Sequence, residues 1–251
     1  SLREKERLGA ELSLATDIQA HMLPHIFPAF PDRPELDIHA VMAPAKEVGG
    51  DLFDFRSRES QLYFSIGDIS GKGVPAALVM AITLAACRFF NSMGLALDKL
   101  VEQLNSNVAE NNDANMFATM FVGRMNFENR VLEYCNAGHN PIIVIPPSEE
   151  PYYLKAKSNL AIGLLDDFSY QKEQLNIPIG TKLVLYTDGV TEAENSEQEQ
   201  FGTKRLLELV SKDSFRTLCP EEMTNKICNA VYEFTEDNEQ FDDITILCIS
   251  L

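Results

Sequence analysis

The sequence predicts an α+β domain in which antiparallel sheets carry helices on their outer faces. Stretches typical of β-strands dominate both ends of the chain, and the helical stretches are inserted between them in two pairs. Nothing repeats at a regular period, and no Gly/Ser- or Pro-rich linker divides the chain. A length of 251 residues allows one large domain or two small ones, and the unbroken pattern favours one.

The first predicted element is a charged helix over residues 1–24. Leu8, Leu12 and Ala15 recur at helical spacing, and Pro24 ends the segment. This helix either links the domain to a further domain or packs on the domain that follows. Its leucine spacing also supports the hypothesis of a homodimer formed through it.

The remaining elements follow from hydrophobic periodicity and from turn residues. The helix over 74–90 has a proline near its start, and the helix over 97–111 is amphipathic. A short Phe-Glu-Asn turn predicts a hairpin, and the acidic run TEAENSEQEQ predicts a solvated loop. The predicted strands are 36–45, 48–55, 62–69, 116–126, 130–138, 140–146, 152–156, 168–178, 181–189 and 242–251, and the last two helices are 202–212 and 220–237.

Composition places the chain among ordinary soluble proteins, with 45% hydrophobic and 24% charged residues. Its five cysteines are odd in number and include no C-x-x-C pair, which argues against a disulfide framework and a structural zinc site. No apolar run approaches the roughly 20 residues of a membrane span. These observations predict a reducing, cytoplasmic location.

A formal net charge of -17 weighs against a nucleic-acid partner, because phosphate backbones are bound by clustered Lys and Arg. Two interpretations of the charge stay open. It can serve solubility alone, or some of the acids can converge on metal ions.

Four sites place an aspartate beside a glycine or a second aspartate, close to an apolar strand: Asp51, Asp68, Asp188, and Asp242 with Asp243. Each site alone is typical of a turn. Acids brought together in one cleft repel one another, and cations remove that penalty. Ligation by oxygen alone suits Mg²⁺ or Mn²⁺ better than zinc.

The motifs EVGGDLFDF, GDISGKGVPAAL, NAGHNP, LVLYTDGVTEA and DDITIL together resemble those of the PPM-type (protein phosphatase 2C-like) metal-dependent Ser/Thr phosphatases, in the bacterial SpoIIE/RsbU-like branch. The resemblance extends over residues 18–251. It implies a four-layer α-β-β-α sandwich, with two central antiparallel sheets flanked by helix pairs. It also implies a linker or regulatory helix over 1–24, a phosphatase domain over 25–251, and an upstream sensory domain in the full-length protein.

The resemblance implies that two Mn²⁺ or Mg²⁺ ions bind at the four aspartates. Asp51 and Asp68 would hold the pair, with Asp68 bridging and the carbonyl of Ile69 assisting. Asp188 would bind the second ion. In DDIT the implied ligand is Asp242, and Asp243 would support it. Gly49 and Gly50 would let the chain turn so that Asp51 faces the metal.

Two lysines are candidates for substrate binding. Lys46 lies five positions before Asp51, and Lys72 lies in the glycine-rich loop after Asp68. A solvated surface role for Lys46 is equally open. Cys135 is interpreted as a small buried core residue, because the Arg-rich phosphate loop of a cysteine phosphatase is missing around it. His139 is interpreted as a turn or core residue.

The function implied is hydrolysis of phosphoserine or phosphothreonine on a protein, with a phosphorylated STAS-type anti-sigma-factor antagonist as the expected substrate. Two other functions stay open. One is a non-catalytic pseudophosphatase that binds a partner, which the presence of all four acids disfavours. The other is a hydrolase of small phosphoesters.

Overall fold

Two five-stranded antiparallel sheets face each other in the protein, and helices cover the outer face of each. The structure is a computed structural model that describes residues 2–110, 112, 114–236 and 238–251. Three predicted helix ends, at Ser1, Asn111 and Asp237, lie outside the described residues. The predicted four-layer α-β-β-α sandwich is confirmed.

All strand pairs within the two sheets are antiparallel. The first sheet consists, in spatial order, of β2 (Asp51–Arg58), β3 (Gln61–Ile69), β4 (Ala118–Asn126), β5 (Val131–Ala137) and β8 (Glu173–Asn176). The second consists of β1 (Asp37–Ala43), β10 (Ile244–Ser250), β9 (Lys182–Tyr186), β6 (Ile143–Ile145) and β7 (Tyr152–Tyr153).

Each sheet carries its own pair of long helices. The first sheet is covered by α2 (Val74–Ser92) and α3 (Leu97–Ala109), and the second by α5 (Gly202–Val210) and α7 (Pro220–Thr235). The N-terminal α1 (Leu2–Met22) contacts α2. The short helices α4 (Asp188–Thr191) and α6 (Asp213–Thr217) complete the set.

Alternation along β9 shows how one strand serves two apolar layers. Leu183 and Leu185 pack into the core between the sheets, whereas Val184 and Tyr186 pack against α5 and α7. Since successive side chains of a strand point to opposite faces, a strand buried on both sides is apolar throughout.

Several predicted boundaries were wrong. The apolar run 140–146 yields only the three residues of β6, since Pro141 has no backbone N–H for a sheet ladder. Asp188 was expected at the end of a strand, but β9 ends at Tyr186 and Asp188 opens α4. One-turn helices such as α4 and α6 are too short for a helical period to show in the sequence.

The expectation about membrane spans also needs correction. Among the described residues, α2 is 19 residues long and apolar enough to cross a membrane by length and composition alone. One face of α2, including Met80 and Leu84, is buried in the main core, whereas Leu78, Ile82 and Phe89 on α2 are exposed.

Candidate metal centre

The hairpin of β2 and β3 brings the first two predicted aspartates together. Asp51 is the first residue of β2 and pairs directly with Asp68 near the end of β3. Side chains of directly opposed residues lie on the same face of a sheet, with Cβ atoms about 5 Å apart. Asp51 is 1% exposed, and Asp68 is partly buried.

The second sheet supplies the other two. Asp188 follows β9, and Asp242 lies two residues before the start of β10, which pairs with β9. Thr187, the residue before Asp188, donates a hydrogen bond to Asp51, so the ends of the two sheets that carry these carboxylates meet. In agreement, the charges of Asp188 and Asp242 raise the pKa of Asp68. The structure therefore brings all four predicted aspartates into one cluster.

Burial and mutual repulsion raise the pKa values within this cluster. Burial, followed by the charge of Asp68, raises the pKa of Asp51 well above its usual range. The pKa of Asp68 rises to about 8 through burial and through the charges of Asp188 and Asp242. Burial and Asp242 also raise the pKa of Asp188. Without a cation, such a cluster retains protons that water-exposed carboxylates would release.

Asp68 and Asp188 lie close enough to affect each other's ionisation. Burial is the main cause that raises the pKa of Asp68, and the charge of Asp188 raises it further. The Oδ1 atom of Asp188 is buried without a hydrogen-bond partner among the residues that the structure describes. An unsatisfied buried oxygen beside protonated acids fits a hard divalent cation, which prefers oxygen ligands.

The cluster is not a closed metal cage. Among the described residues, no group of three or more His, Cys, Asp or Glu side chains stands in metal-binding geometry. Oδ2 of Asp51 accepts hydrogen bonds from Thr187 Oγ1 at 2.7 Å and from Thr245 Oγ1. Oδ2 of Asp242 lies 3.6 Å from Nζ of Lys72. The carboxylate oxygens are of the type that binds divalent cations, but one oxygen of Asp51 and one of Asp242 contact other side chains of the protein.

The adjacent Asp242 and Asp243 differ in what their oxygens contact. Oδ1 of Asp243 accepts a hydrogen bond from the backbone N–H of Ala45, and Oδ2 accepts one from Gly50, both at 2.8 Å. The Asp243 residue is 8% exposed, whereas the Asp242 side chain is 28% exposed. Asp243 thus ties the segment before Asp51 to the second sheet, and Asp242 faces the cluster.

The two glycines before Asp51 are required by close approach. A Cβ atom at Gly49 would overlap the carboxylate of Asp243, and one at Gly50 would lie 2.9 Å from the carbonyl oxygen of Ile69. Neither glycine has the positive φ that would demand glycine for a turn. The prediction that Gly49 and Gly50 allow a turn is therefore wrong. They are needed because Asp243 and Ile69 leave no space for a side chain at these positions.

Of the two predicted lysines, Lys72 lies within the glycine-rich loop and Lys46 lies beside it. Nζ of Lys72 donates a hydrogen bond to the carbonyl oxygen of Phe241 at 2.5 Å and lies 3.5 Å from the centroid of the Phe241 ring. Lys46 is exposed. Its Cδ atom lies 3.9 Å from the point where a Cβ atom on Gly73 would be. Its ammonium group has no hydrogen bond or ion pair to any residue that the structure describes.

Three residues at the site were not predicted. Thr187 and Thr245 bind Asp51, and Gln19 of α1 binds the backbone of Gly49. The two threonines lie within the motifs that carry Asp188 and Asp242, so the sequence could have indicated that they are close to the site. Gln19 offered none, because it lies 30 positions from Gly49 in the chain.

His139 and Cys135 lie in the interior, in agreement with their interpretation as core residues. Nε2 of His139 donates to the carbonyl of Tyr186 at 3.0 Å, so Nδ1 accepts from Thr119 Oγ1 at 3.1 Å. Burial lowers the pKa of His139 to about 4. Cys135 is 1% exposed, and burial raises the pKa of its thiol to about 12.

Comparison with known proteins agrees with the fold and the motifs. The family model described as Stage II sporulation protein E (SpoIIE) matches residues 58–251, a range that includes Asp68, Asp188 and Asp242 but not Asp51. The chain is 28% identical to the phosphoserine phosphatase RsbU of Bacillus subtilis (strain 168) over 249 residues, which cover 98% of this chain and 71% of RsbU.

Solved structures share the fold over most of the chain. The SiaA-PP2C domain of Pseudomonas aeruginosa superposes with a TM-score of 0.85 at 23% identity, and the match covers 100% of both chains. A crystal structure of RsbX in complex with magnesium gives a TM-score of 0.64 at 19% identity, covering 85% of this chain and 94% of that one.

The sandwich and the carboxylate cluster between its sheets define the class, a PPM-type phosphatase. More specifically, the chain belongs to the SpoIIE family, in its RsbU-like branch, and is a protein serine/threonine phosphatase.

Proposed function

We propose that this phosphatase removes phosphate from phosphoserine or phosphothreonine of a protein with two divalent cations, Mn²⁺ or Mg²⁺. The side chains of Asp51, Asp68, Asp188 and Asp242 and the carbonyl oxygen of Ile69 would hold them. The observation that carries this proposal is the convergence of four carboxylates whose pKa values rise through burial and mutual repulsion. Dependence on a divalent metal is implied by the family and agrees with the magnesium complex of RsbX.

Divalent cations at such a site activate a water molecule and neutralise the oxygens of the phosphoryl group. Residues of the chain orient the ligands. Thr187 and Thr245 hold one oxygen of Asp51, and Asp243 holds the Gly50 segment against the second sheet. Phosphoryl transfer depends mainly on positioning and on charge stabilisation, so this framework is a large part of what the protein supplies.

The lysines are proposed to act on the substrate side. Lys46 is exposed beside the loop that follows Asp68, where its charge is available to a phosphate group. Lys72 lies against Asp242 and the segment around Phe241, and its proposed partner is substrate or a regulatory element. His139 is not available as a proton donor, because both of its ring nitrogens are already engaged in the interior.

The proposed substrate is a phosphorylated STAS-type anti-sigma-factor antagonist, which accords with the name of RsbU as a phosphoserine phosphatase. We also propose that residues 1–24 form a regulatory helix between the domain over 25–251 and an upstream sensory domain. Exposed Leu8, Leu14 and Ile18 on this helix support a homodimer. A cytoplasmic location stays a prediction.

The test is phosphate release from an aryl phosphate and from a phosphoserine protein, with Mn²⁺ titrated, for wild type and Asp188→Ala. Asp32→Ala, which alters an exposed aspartate, is the matched control. We expect metal-dependent turnover that prefers the phosphoprotein, collapses in Asp188→Ala and persists in the control. Turnover indifferent to Asp188 contradicts the proposed site. Preference for the small ester contradicts the protein substrate, and metal binding without turnover identifies a pseudophosphatase.

A further inference from the structure

A cavity of about 350 Å³ lies at the end of the first sheet, between the β2–β3 turn and the turn that joins α2 to α3. Arg56, Arg58 and Arg124 line it, together with Tyr63, Asn91 and Gly94. Three arginines around one small cavity are unexpected in a chain whose formal net charge is -17.

This cavity is remote from the metal centre. Asp51 pairs with Asp68 at one end of the β2–β3 hairpin, and Arg58 pairs with Gln61 at the other. Seven residue steps along a strand correspond to about 23 Å. The arginines therefore do not belong to the carboxylate site.

Strand register directs all three arginines to the same face of the sheet. Arg56 is directly opposite Tyr63, and Tyr63 is directly opposite Arg124 on the next strand. Arg58 lies two positions after Arg56 and shares that face, because side chains alternate along a strand. Tyr63, which is 3% exposed, lies between Arg56 and Arg124 in this row.

The guanidinium group of Arg124 is held in place by neutral acceptors. Its Nη1 donates to the carbonyl of Leu95 at 3.0 Å, and its Nη2 donates to Oδ1 of Asn91 at 3.3 Å. Both acceptors belong to the end of α2 and the turn after it. Glu133 lies directly opposite Arg124 on β5, but its Oε1 accepts hydrogen bonds from Lys172 and Gln174. Arg124 forms no ion pair with a residue that the structure describes.

The other two charges are also poorly neutralised. Arg56 lies 3.5 Å from Asp54, but both oxygens of Asp54 already accept hydrogen bonds from Arg88 at 2.9 Å. The side chain of Arg58 makes no hydrogen bond or ion pair with any residue that the structure describes. Among the residues that line the cavity, three arginines are accompanied by one acid, Glu59.

We propose that this cavity binds a small molecule that carries a di- or triphosphate group. Guanidinium groups bind phosphate oxygens bidentately, and the volume falls at the small end of the range for ligand pockets. A concave site of this size suits a compact polyanion better than an extended acidic peptide. The inference does not depend on the phosphatase activity.

The test is calorimetric titration of inorganic pyrophosphate into the metal-free 251-residue chain at low ionic strength. We expect one saturable site and a dissociation constant about tenfold higher in Arg58→Gln and in Arg56→Gln. Arg7→Gln, which alters an exposed arginine of α1, is the matched control and should leave the constant unchanged. Asp242→Ala should also leave it unchanged, since the metal centre is not involved.

The Arg58 side chain is exposed and makes no hydrogen bond or ion pair with a residue that the structure describes, so Arg58→Gln should leave the fold intact. Absence of saturable binding overturns the proposal. So does binding that Arg58→Gln leaves intact or that Asp242→Ala abolishes. A polyglutamate peptide that binds more tightly than pyrophosphate would reassign the cavity to an acidic protein partner.

Discussion

The carboxamide of Gln19 exchanges two hydrogen bonds with the backbone of Gly49. Its Nε2 donates to the carbonyl of Gly49 at 2.8 Å, and the N–H of Gly49 donates to its Oε1 at 3.0 Å. Gln19 is 6% exposed. The next residue, Gly50, is bound to Asp243, and Asp51 follows. The N-terminal helix is thereby connected to the segment that positions a predicted metal ligand.

Gln19→Met should weaken Mn²⁺ binding, because the Gly49 segment loses its attachment to α1. The N–H and C=O groups of Gly49 would then be buried without partners. Each should lower the free energy of unfolding by up to about 3 kcal/mol. Calorimetric Mn²⁺ titration and urea unfolding measure the two effects. Gln103→Met, at an exposed position of α3, is the control. Unchanged Mn²⁺ affinity in Gln19→Met would show that α1 does not support the site.

Thr245→Val should raise the dissociation constant for Mn²⁺ by about tenfold near neutral pH. The hydroxyl groups of Thr245 and Thr187 lower the pKa of Asp51 and partly offset the effect of burial. Without one of them Asp51 holds its proton more tightly, so a cation must compete harder. The dissociation constants of wild type and Thr245→Val are measured at pH 7 and pH 9. The difference in Mn²⁺ affinity between them should be smaller at pH 9. Thr203→Val, an exposed substitution, serves as control.

Lys72→Met should increase Mn²⁺ affinity several-fold, because a positive charge 3.6 Å from Asp242 is removed. The Michaelis constant for a phosphoprotein should rise if Lys72 binds substrate, as the sequence predicts. The first effect is read by calorimetry and the second by phosphate release. Lys99→Met removes the lysine of another exposed ion pair and should change neither. Weaker Mn²⁺ binding in Lys72→Met would contradict the argument.

Stability should fall between pH 6.5 and pH 4 through His139. Burial lowers the pKa of His139 to about 4 in the folded state, whereas an unfolded histidine titrates near 6.5. In this window the unfolded chain takes up a proton that the folded chain does not, so acid favours unfolding. The wild-type advantage over His139→Gln should shrink by roughly 2 kcal/mol from pH 7 to pH 5. Urea unfolding in EDTA measures it, and a constant difference would be inconsistent with a neutral buried His139.

A homodimer through α1 should dissociate in Leu14→Glu, because Leu14 is 61% exposed and would bring like charges together across an interface. Sedimentation velocity of both proteins over a range of concentrations is the measurement. Leu164→Glu, at an exposed leucine outside α1, is the control. If wild type sediments as a monomer throughout, the dimer proposal is wrong for this chain.

Much of the architecture could be predicted because its signals are local. The long apolar run of α2, the amphipathic pattern of α3 and the doubly buried strands each show in neighbouring residues. The motifs around Asp51, Asp68, Asp188 and Asp242 identified the candidate ligands and the family before any contact was visible. Their metal-binding roles stay predictions.

Sequence by itself thus determined the order of the elements, the α+β class and the aspartates of the site. Only the tertiary structure decided how those aspartates are held. Thr187 and Thr245 lie 136 and 194 positions from Asp51, and the carboxylate that excludes a side chain at Gly49 belongs to Asp243 in the last part of the chain. The row of Arg56 and Arg124 depends on strand register in the same way. Contacts between distant residues form only when the sheets pack, so no local pattern encodes them.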